Sequence, residues 1–156
     1  MQCAILGTGN IGTDLLVKVM RSKYLECIMF SGQRENSPGI AFAKNLKIPT
    51  STKSTEGILE VEADCVFDCT TAESAKKNAR LLKNRFVIDL TPAKLYPIYV
   101  PGITKLTDKH GVSLGSCTVQ AVIPKLMKIK NLEYVEVVTT IASDSAGMGT
   151  RENLSE

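Results

Sequence analysis

Short apolar runs alternate along the chain with segments in which apolar residues recur every three or four positions. Runs of the first kind are typical of buried strands, and the second spacing is typical of amphipathic helices. The predicted strands are 3–6, 25–30, 64–70, 86–90, 112–116 and 134–142. The predicted helices are 10–23, 37–46, 54–60, 72–83 and 118–130. Because near-continuous apolar strands alternate with helices, we expect a parallel sheet that helices cover.

Three prolines between Pro92 and Pro101 interrupt this alternation and predict an irregular segment. We therefore predict an α/β fold with a Rossmann-type, doubly wound parallel sheet over residues 1–105. Residues 106–156 are predicted to begin an α+β catalytic or dimerisation domain. A chain of 156 residues can bury one real core but is short for two.

A glycine motif follows the first predicted strand. Gly7, Gly9 and Gly12 form G-x-G-x-x-G in "LGTGNIG", directly before an amphipathic helix. In a Rossmann unit the first glycine permits a tight turn, the second lets the backbone approach a pyrophosphate, and the third permits close helix–strand contact. The helix start then offers its N–H groups to the phosphates. We expect a dinucleotide here; the alternative is a glycine-rich turn without a ligand.

The second predicted strand ends in "FSGQREN", which carries no carboxylate at its tip. A Rossmann site normally has Asp or Glu there, about 20 residues beyond the motif, to hold the ribose hydroxyls. Ser31 and Arg34 could instead hold a 2′-phosphate, which favours NADP or the use of both cofactors. The alternative is that Arg34 is a solvated loop residue.

Composition excludes several classes of protein. The net charge of +3 is spread over many lysines. The sequence has no basic cluster with interleaved aromatic residues, so we expect no nucleic-acid partner. No apolar run approaches the ~20 residues of a membrane span, so we expect no membrane partner. The five cysteines form no C-x-x-C pair, which predicts free thiols in a reducing cytoplasm and no metal site.

One cysteine stands between small polar residues and an apolar helix, in "LGSCTVQAVIP". A helix N-terminus stabilises a thiolate, and its N–H groups can stabilise an oxyanion. The position of Cys117 therefore fits a nucleophile as well as it fits a structural core cysteine. His110, the only histidine, lies in the polar segment "TDKHG" and is expected to be a solvated loop residue. Asp64, Asp68 and Asp89 are expected to have structural roles at strand ends.

Four segments, "AILGTGNIGTDLLVKVMRS", "VFDCTTAESAKKN", "VIDLTPA" and "SAGMGTREN", resemble the bacterial acetaldehyde dehydrogenase (acylating) family, and the likeness covers essentially the whole chain. The resemblance implies oxidation of a small aldehyde, acetaldehyde, with NAD and coenzyme A to acetyl-CoA. It implies that Cys117 is the acyl-thioester nucleophile, since the family's cysteine precedes a Gln-Ala-x-Ile-Pro segment. That segment is here Gln120, Ala121, Ile123 and Pro124. It also implies an aldolase partner that supplies the aldehyde.

The resemblance places contacts to the nicotinamide cofactor on two segments. The first contains Thr8, Gly9, Asn10 and Ile11. The second contains Ser145, Ala146, Gly147, Met148, Gly149, Thr150, Arg151, Glu152 and Asn153. The small residues and donors of the second segment suit close approach by a nicotinamide ribose.

The chain departs from the family at two points. Thr118 and Val119 stand where the family usually has two glycines, which is closer to semialdehyde and phosphorylating aldehyde dehydrogenases. Family members also continue well past residue 156 into most of a second domain, so we expect this chain to lack that part. An exposed apolar surface where it would pack predicts a homo-oligomer. Two alternatives stay open: a non-catalytic NAD(P)-binding module derived from the family, and a semialdehyde dehydrogenase.

Overall fold

The computed structural model describes residues 1–140 and 142. Its elements are, in chain order, β1 (Gln2–Leu6), α1 (Asn10–Arg21), β2 (Glu26–Ser31), α2 (Pro38–Asn45), β3 (Thr50–Ser51), α3 (Thr55–Leu59), β4 (Cys65–Asp68), α4 (Ala72–Leu81), β5 (Val87–Asp89), β6 (Gly111–Ser113) and α5 (Cys117–Leu126). The six strands form one sheet in the order β3-β2-β1-β4-β5-β6, and every neighbouring pair is parallel. This is the Rossmann strand order, so the predicted α/β fold is confirmed.

The core lies on both faces of the sheet, because successive side chains of a strand point to opposite faces. In β1, Ile5 packs with Leu16 of α1 and Ile40 of α2. Its neighbour Leu6 packs on the other face with Ile58 of α3. The second face is completed by Ala4, Met29, Val66, Leu82 and Val87. The central strand is therefore buried on both sides, which explains its continuous apolar sequence.

Local signals set the ends of several elements. The Thr71 hydroxyl caps α4 by accepting a hydrogen bond from the Ser74 N–H at 3.3 Å. Pro38 occupies the first position of α2, where its missing N–H removes no intrahelical hydrogen bond. Ser22 ends α1, and its Oγ accepts from the N–H of Leu25 at 3.2 Å. These contacts are local in sequence, which is why the helices were recognisable from it.

Several predicted bounds change. β6 ends at Ser113, before the predicted 116, because Gly115 turns the chain with a φ of +69°. α5 begins at Cys117 and ends at Leu126, four residues before the predicted end. The two-residue β3 was not predicted. β6 lies beyond residue 105 and yet completes the same sheet, while the division into two domains stays a prediction.

The predicted strand 134–142 is wrong for the part that the structure describes. Residues 131–140 form neither helix nor strand, and the side chains of Tyr134 and Val138 are 81% and 85% exposed. A β-branched run becomes a strand only when a neighbouring strand pairs with its backbone groups. In the described chain the sheet already ends at β6 on this side, so these residues have no strand to pair with and are exposed to solvent.

The proline-rich segment is irregular, as predicted. Its one regular contact is an isolated bridge between Ile98 and Ser113, flanked by hydrogen bonds from Tyr99 N–H to Ser113 O at 2.9 Å and from Ser113 N–H to Pro97 O at 3.0 Å. This segment therefore lies along the outer edge of β6. Within the described residues, no helix has the length and hydropathy needed to cross a membrane.

Candidate functional site

The candidate site lies beyond the carboxyl ends of the strands, where the strand order reverses. The chain runs from β1 outward to β2 and β3, then returns to add β4, β5 and β6 on the other side of β1. Ligands of open α/β sheets bind at such a reversal. The loop that leaves β1 at this point is the Gly7–Gly12 motif, so the fold brings the motif to the expected place.

The glycines close a tight turn between β1 and α1. Gly7 has a φ of +108°, and a Cβ atom there would lie 2.7 Å from the Cys69 carbonyl oxygen. A Cβ atom on Gly12 would overlap the carbonyl oxygen of Gly7. Only glycine fits either position, because one requires the left-handed region and the other requires direct contact between helix and turn.

The start of α1 presents its backbone to open space. Gly9 is the N-cap, no side chain caps the helix, and the first turn holds no acidic residue. A Cβ atom on Gly9 would meet nothing within 4 Å. Asn10 and Ile11, in the first turn, are exposed. The first N–H groups of α1 are unpaired, and no acidic side chain neutralises the positive end of the helix dipole. Both features fit a pyrophosphate, so this part of the chain is suited to a dinucleotide.

Thr8 links this turn to the neighbouring loops. The Ser37 hydroxyl lies 3.0 Å from both the carbonyl oxygen and the hydroxyl of Thr8. Gly32 and Gly39 approach Thr8 so closely that a Cβ atom on either would collide with it. The predicted contact residue Thr8 is thus packed between the tip of β2 and the start of α2, and it fixes the shape of the turn.

The two residues predicted for a 2′-phosphate occupy different environments. Ser31 is fully buried, and its hydroxyl donates to the Ser54 carbonyl oxygen at 2.6 Å. Arg34 is exposed on the loop that follows β2. The Ser31 hydroxyl is therefore committed to the backbone, whereas the Arg34 guanidinium is free to approach a ligand. The sequence could not distinguish them, since the partner of Ser31 lies 23 residues away.

A cavity of about 410 Å³ opens beside the β2 tip. It is lined by Gln33, Thr52, Lys53, Ser54, Thr55, Glu56 and Leu81. Lys53 is ion-paired with Glu60 at 2.6 Å, and this pairing raises the pKa of the lysine. Lys53 is a cation in this lining that was not predicted, because the two-residue strand β3 before it has no recognisable sequence pattern.

Two buried carboxylates end the central strands on the other side of β1. Asp68 and Asp89 are in register on β4 and β5, and each accepts hydrogen bonds from the N–H and hydroxyl of the threonine two residues later. Asp89 also accepts from the Ser113 hydroxyl at 2.7 Å and the Leu95 N–H at 3.2 Å. These bonds tie the strand ends and their loops together, as expected for structural aspartates.

Cys117 lies on the same edge of the sheet, as the first residue of α5. Ser116 is the N-cap of this helix, and its hydroxyl accepts from the Val119 N–H at 3.2 Å. The side chain is exposed, whereas Cys3, Cys27 and Cys65 are buried. With strands ~4.8 Å apart, the end of β6 lies three spacings, or about 14 Å, from the end of β1. The adenosine half of a dinucleotide would lie at the end of β2. Cys117 is on the other side of β1, where the nicotinamide half would lie.

The other titratable candidates do not form a base for Cys117. His110 precedes β6, so the whole strand separates it from Cys117, at the opposite edge of the sheet. Cys69 lies under the glycine turn, and desolvation together with the carboxylates of Asp68 and Asp89 raises the pKa of its thiol. It is therefore a neutral thiol. The predicted cofactor contacts Ser145 to Asn153 lie outside the described residues.

Two family models and several known proteins are similar to this chain. Residues 117–156 match the family model "Prokaryotic acetaldehyde dehydrogenase, dimerisation", and residues 2–93 match "NADP oxidoreductase coenzyme F420-dependent". The chain is 42% identical to acetaldehyde dehydrogenase of Thermomicrobium roseum, over 100% of this chain and 54% of that protein. Along its whole length the chain is similar to about half of this acetaldehyde dehydrogenase. It is 41% identical to the acetaldehyde dehydrogenase of Spirochaeta aurantia, over 100% of this chain and 56% of that one.

The chain spans about half the length of the curated relatives it matches. Its fold resembles that of an NAD-binding protein from Listeria innocua, with a TM-score of 0.50 and 21% identity over 58% of this chain and 27% of that one. The likeness supports the Rossmann-type fold that the strand order indicates. The resemblance predicted from the sequence is therefore confirmed for the family.

Proposed function

We propose that the chain carries the cofactor cleft and the nucleophile of an acylating acetaldehyde dehydrogenase. The observation that supports this most is the placement of Cys117, an exposed thiol at a helix start on the same sheet edge as the glycine turn. The proposed substrate, acetaldehyde, is taken from the names of the relatives. The proposed cofactor is NAD, with NADP as the alternative because the β2 tip lacks a carboxylate.

In the proposed reaction the Cys117 thiolate forms a C–S bond to the aldehyde carbonyl carbon, and the oxygen takes a proton. The N–H groups at the start of α5 would stabilise the developing oxyanion. A bound nicotinamide cofactor supplies a hydride acceptor at this carbon. Loss of the hydride from this carbon, together with loss of the hydroxyl proton to solvent, leaves an acyl thioester on Cys117. The thiol of coenzyme A then takes the acyl group, which gives acetyl-CoA and returns the Cys117 thiol.

The other proposed contacts divide along the cleft. The backbone of Gly7, Gly9 and Gly12 would hold the pyrophosphate, and Arg34 would meet the adenosine ribose. The segment Ser145 to Asn153 is proposed to meet the nicotinamide ribose on the resemblance alone. The match to a dimerisation domain supports a homo-oligomer, and an aldolase partner stays a proposal from the family.

The direct test is NADH formation from acetaldehyde, NAD and coenzyme A by the 156-residue chain, with Cys117→Ala as the control. We expect turnover that requires both coenzyme A and the thiol. Turnover that requires phosphate instead would favour a phosphorylating or semialdehyde dehydrogenase. Equal turnover by the Cys117→Ala chain would refute the proposed role of this cysteine.

A second candidate function is dinucleotide binding without turnover. It is favoured by α5, none of whose residues is fully buried, and by the irregular, exposed residues 131–140 that follow it. Tight NADH binding with no turnover under any acceptor would support this function, and Cys117→Ala would then bind NADH as the unmodified chain does.

A further inference from the structure

The helix that carries Cys117 is joined to the sheet by a pair of side-chain hydrogen bonds. None of the ten residues of α5 is fully buried, and its apolar residues Val119 and Ile123 are half-buried. The side chain of Gln120, one turn into the helix, donates both amide hydrogens to backbone carbonyls. The Nε2 atom lies 2.7 Å from the Tyr99 oxygen and 2.6 Å from the Leu114 oxygen.

Both acceptors belong to backbone that the sheet itself fixes. The Leu114 N–H donates to the Asp89 oxygen at 2.9 Å, and the Tyr99 N–H donates to the Ser113 oxygen at 2.9 Å. Cys117 lies between Leu114 and Gln120 in the sequence. The hydrogen bond between these two residues therefore fixes the turn that carries the thiol. Gln120 thus connects the nucleophile's helix to the ends of β5 and β6.

We propose that Gln120 is a positioning residue, whose amide sets the place of Cys117 relative to the nicotinamide cofactor. This proposal rests on the proposed function, because it assumes that Cys117 lies against the bound cofactor. Carbonyl groups accept and do not donate, so only a side chain with two N–H groups at this reach satisfies both. A glutamate of the same size would instead place a carboxylate against two carbonyl oxygens.

The test measures the rate at which iodoacetamide alkylates Cys117, with and without saturating NAD, by mass spectrometry of the Cys117 peptide. The proteins are the unmodified chain, Gln120→Glu, and Gln120→Met, which keeps the length and removes the donors. Lys125→Gln, at the exposed far end of α5, is the matched control. NADH titration and thermal unfolding check that each variant keeps the fold.

We expect NAD to slow alkylation in the unmodified chain and in Lys125→Gln, because the nicotinamide half covers the thiol. In both Gln120 variants the rate without NAD divided by the rate with NAD should fall to unity. The Kd for NADH should change less than twofold. Variants that keep the full protection by NAD would overturn the role of Gln120 and leave the proposed function intact. A ratio of unity in the unmodified chain would overturn the proposed function, and the positioning role with it. Loss of NADH binding in the variants would make Gln120 a residue of the domain's stability rather than of Cys117's position.

Discussion

The clearest prediction compares Gly12 with Gly9 in the β1–α1 turn, because a methyl group would meet the backbone at Gly12 and open space at Gly9. Gly12→Ala places a methyl group onto the Gly7 carbonyl oxygen, with the Gly7 carbonyl carbon only 3.0 Å away. Gly7 cannot retreat, because the Cys69 backbone lies directly behind it. Overpacking of this kind costs ~1–3 kcal/mol, and a rigid backbone neighbour favours the upper end.

An opposing term comes from helix propensity. Gly12 lies inside α1, where alanine is better than glycine by about 1 kcal/mol. The overlap costs about 3 kcal/mol, so the net loss in the free energy of unfolding is about 2 kcal/mol. For a domain of this size that lowers Tm by roughly 7 °C. Gly9→Ala is the matched variant: its methyl meets open space, and its φ of −81° suits alanine.

Thermal unfolding followed by circular dichroism, with NADH titration on the same samples, separates the two effects. Gly9→Ala should keep its Tm within about 2 °C, since a weaker N-cap and a less flexible unfolded chain roughly cancel. Its affinity for NADH should fall at least tenfold, or about 1.4 kcal/mol, because the methyl occupies the approach of the pyrophosphate. A Gly12→Ala chain as stable as the unmodified one would refute the contact on which this reasoning rests.

Three further predictions concern the burial of side chains. Asp89→Ala removes the acceptor of four hydrogen bonds and should lower the free energy of unfolding in urea by at least ~4 kcal/mol. Ser113→Ala removes two hydrogen bonds, one donated to Asp89 and one accepted from the Tyr96 N–H, and should cost ~2 kcal/mol; equal losses in the two variants would contradict the network. Burial raises the pKa of the Cys65 thiol to about 11. The unfolded thiol ionises first, so stability should fall as pH rises from about 8.5 to 11, and Cys65→Val should show a shallower fall in urea titrations. Alkylation of the folded chain should modify Cys117 well before Cys69, and the reverse order by peptide mapping would contradict their exposures.

The elements that were predictable from the sequence depend on contacts close along the chain. The glycine turn, α1 and the buried strands each show their pattern within a dozen residues, and the parallel sheet follows from their alternation. The position of Cys117 at a helix start was also predictable, because Ser116 caps the helix locally.

What the sequence could not give depends on distant partners. The residues 134–140 have the composition of a strand, yet a strand needs a neighbour, and composition does not supply one. Ser31 stands at the right place for a ribose contact, but its hydroxyl is bound by a carbonyl from the loop before α3. The amide of Gln120 likewise finds Tyr99, 21 residues earlier, only once the sheet has formed.

The two outer strands of the sheet have a consequence for how molecules of this chain associate. An exposed strand edge offers unpaired backbone groups to any other extended chain, and long flat edges invite aggregation. Here one border, β3, has two residues, and the other, β6, has three. The segment 97–99 already occupies the outer side of β6, and Pro97 has no N–H to offer a further strand. Within the described sheet, β3 is too short and the outer side of β6 too occupied to pair with the sheet of another copy, so contact between copies through these two borders has to proceed through side chains.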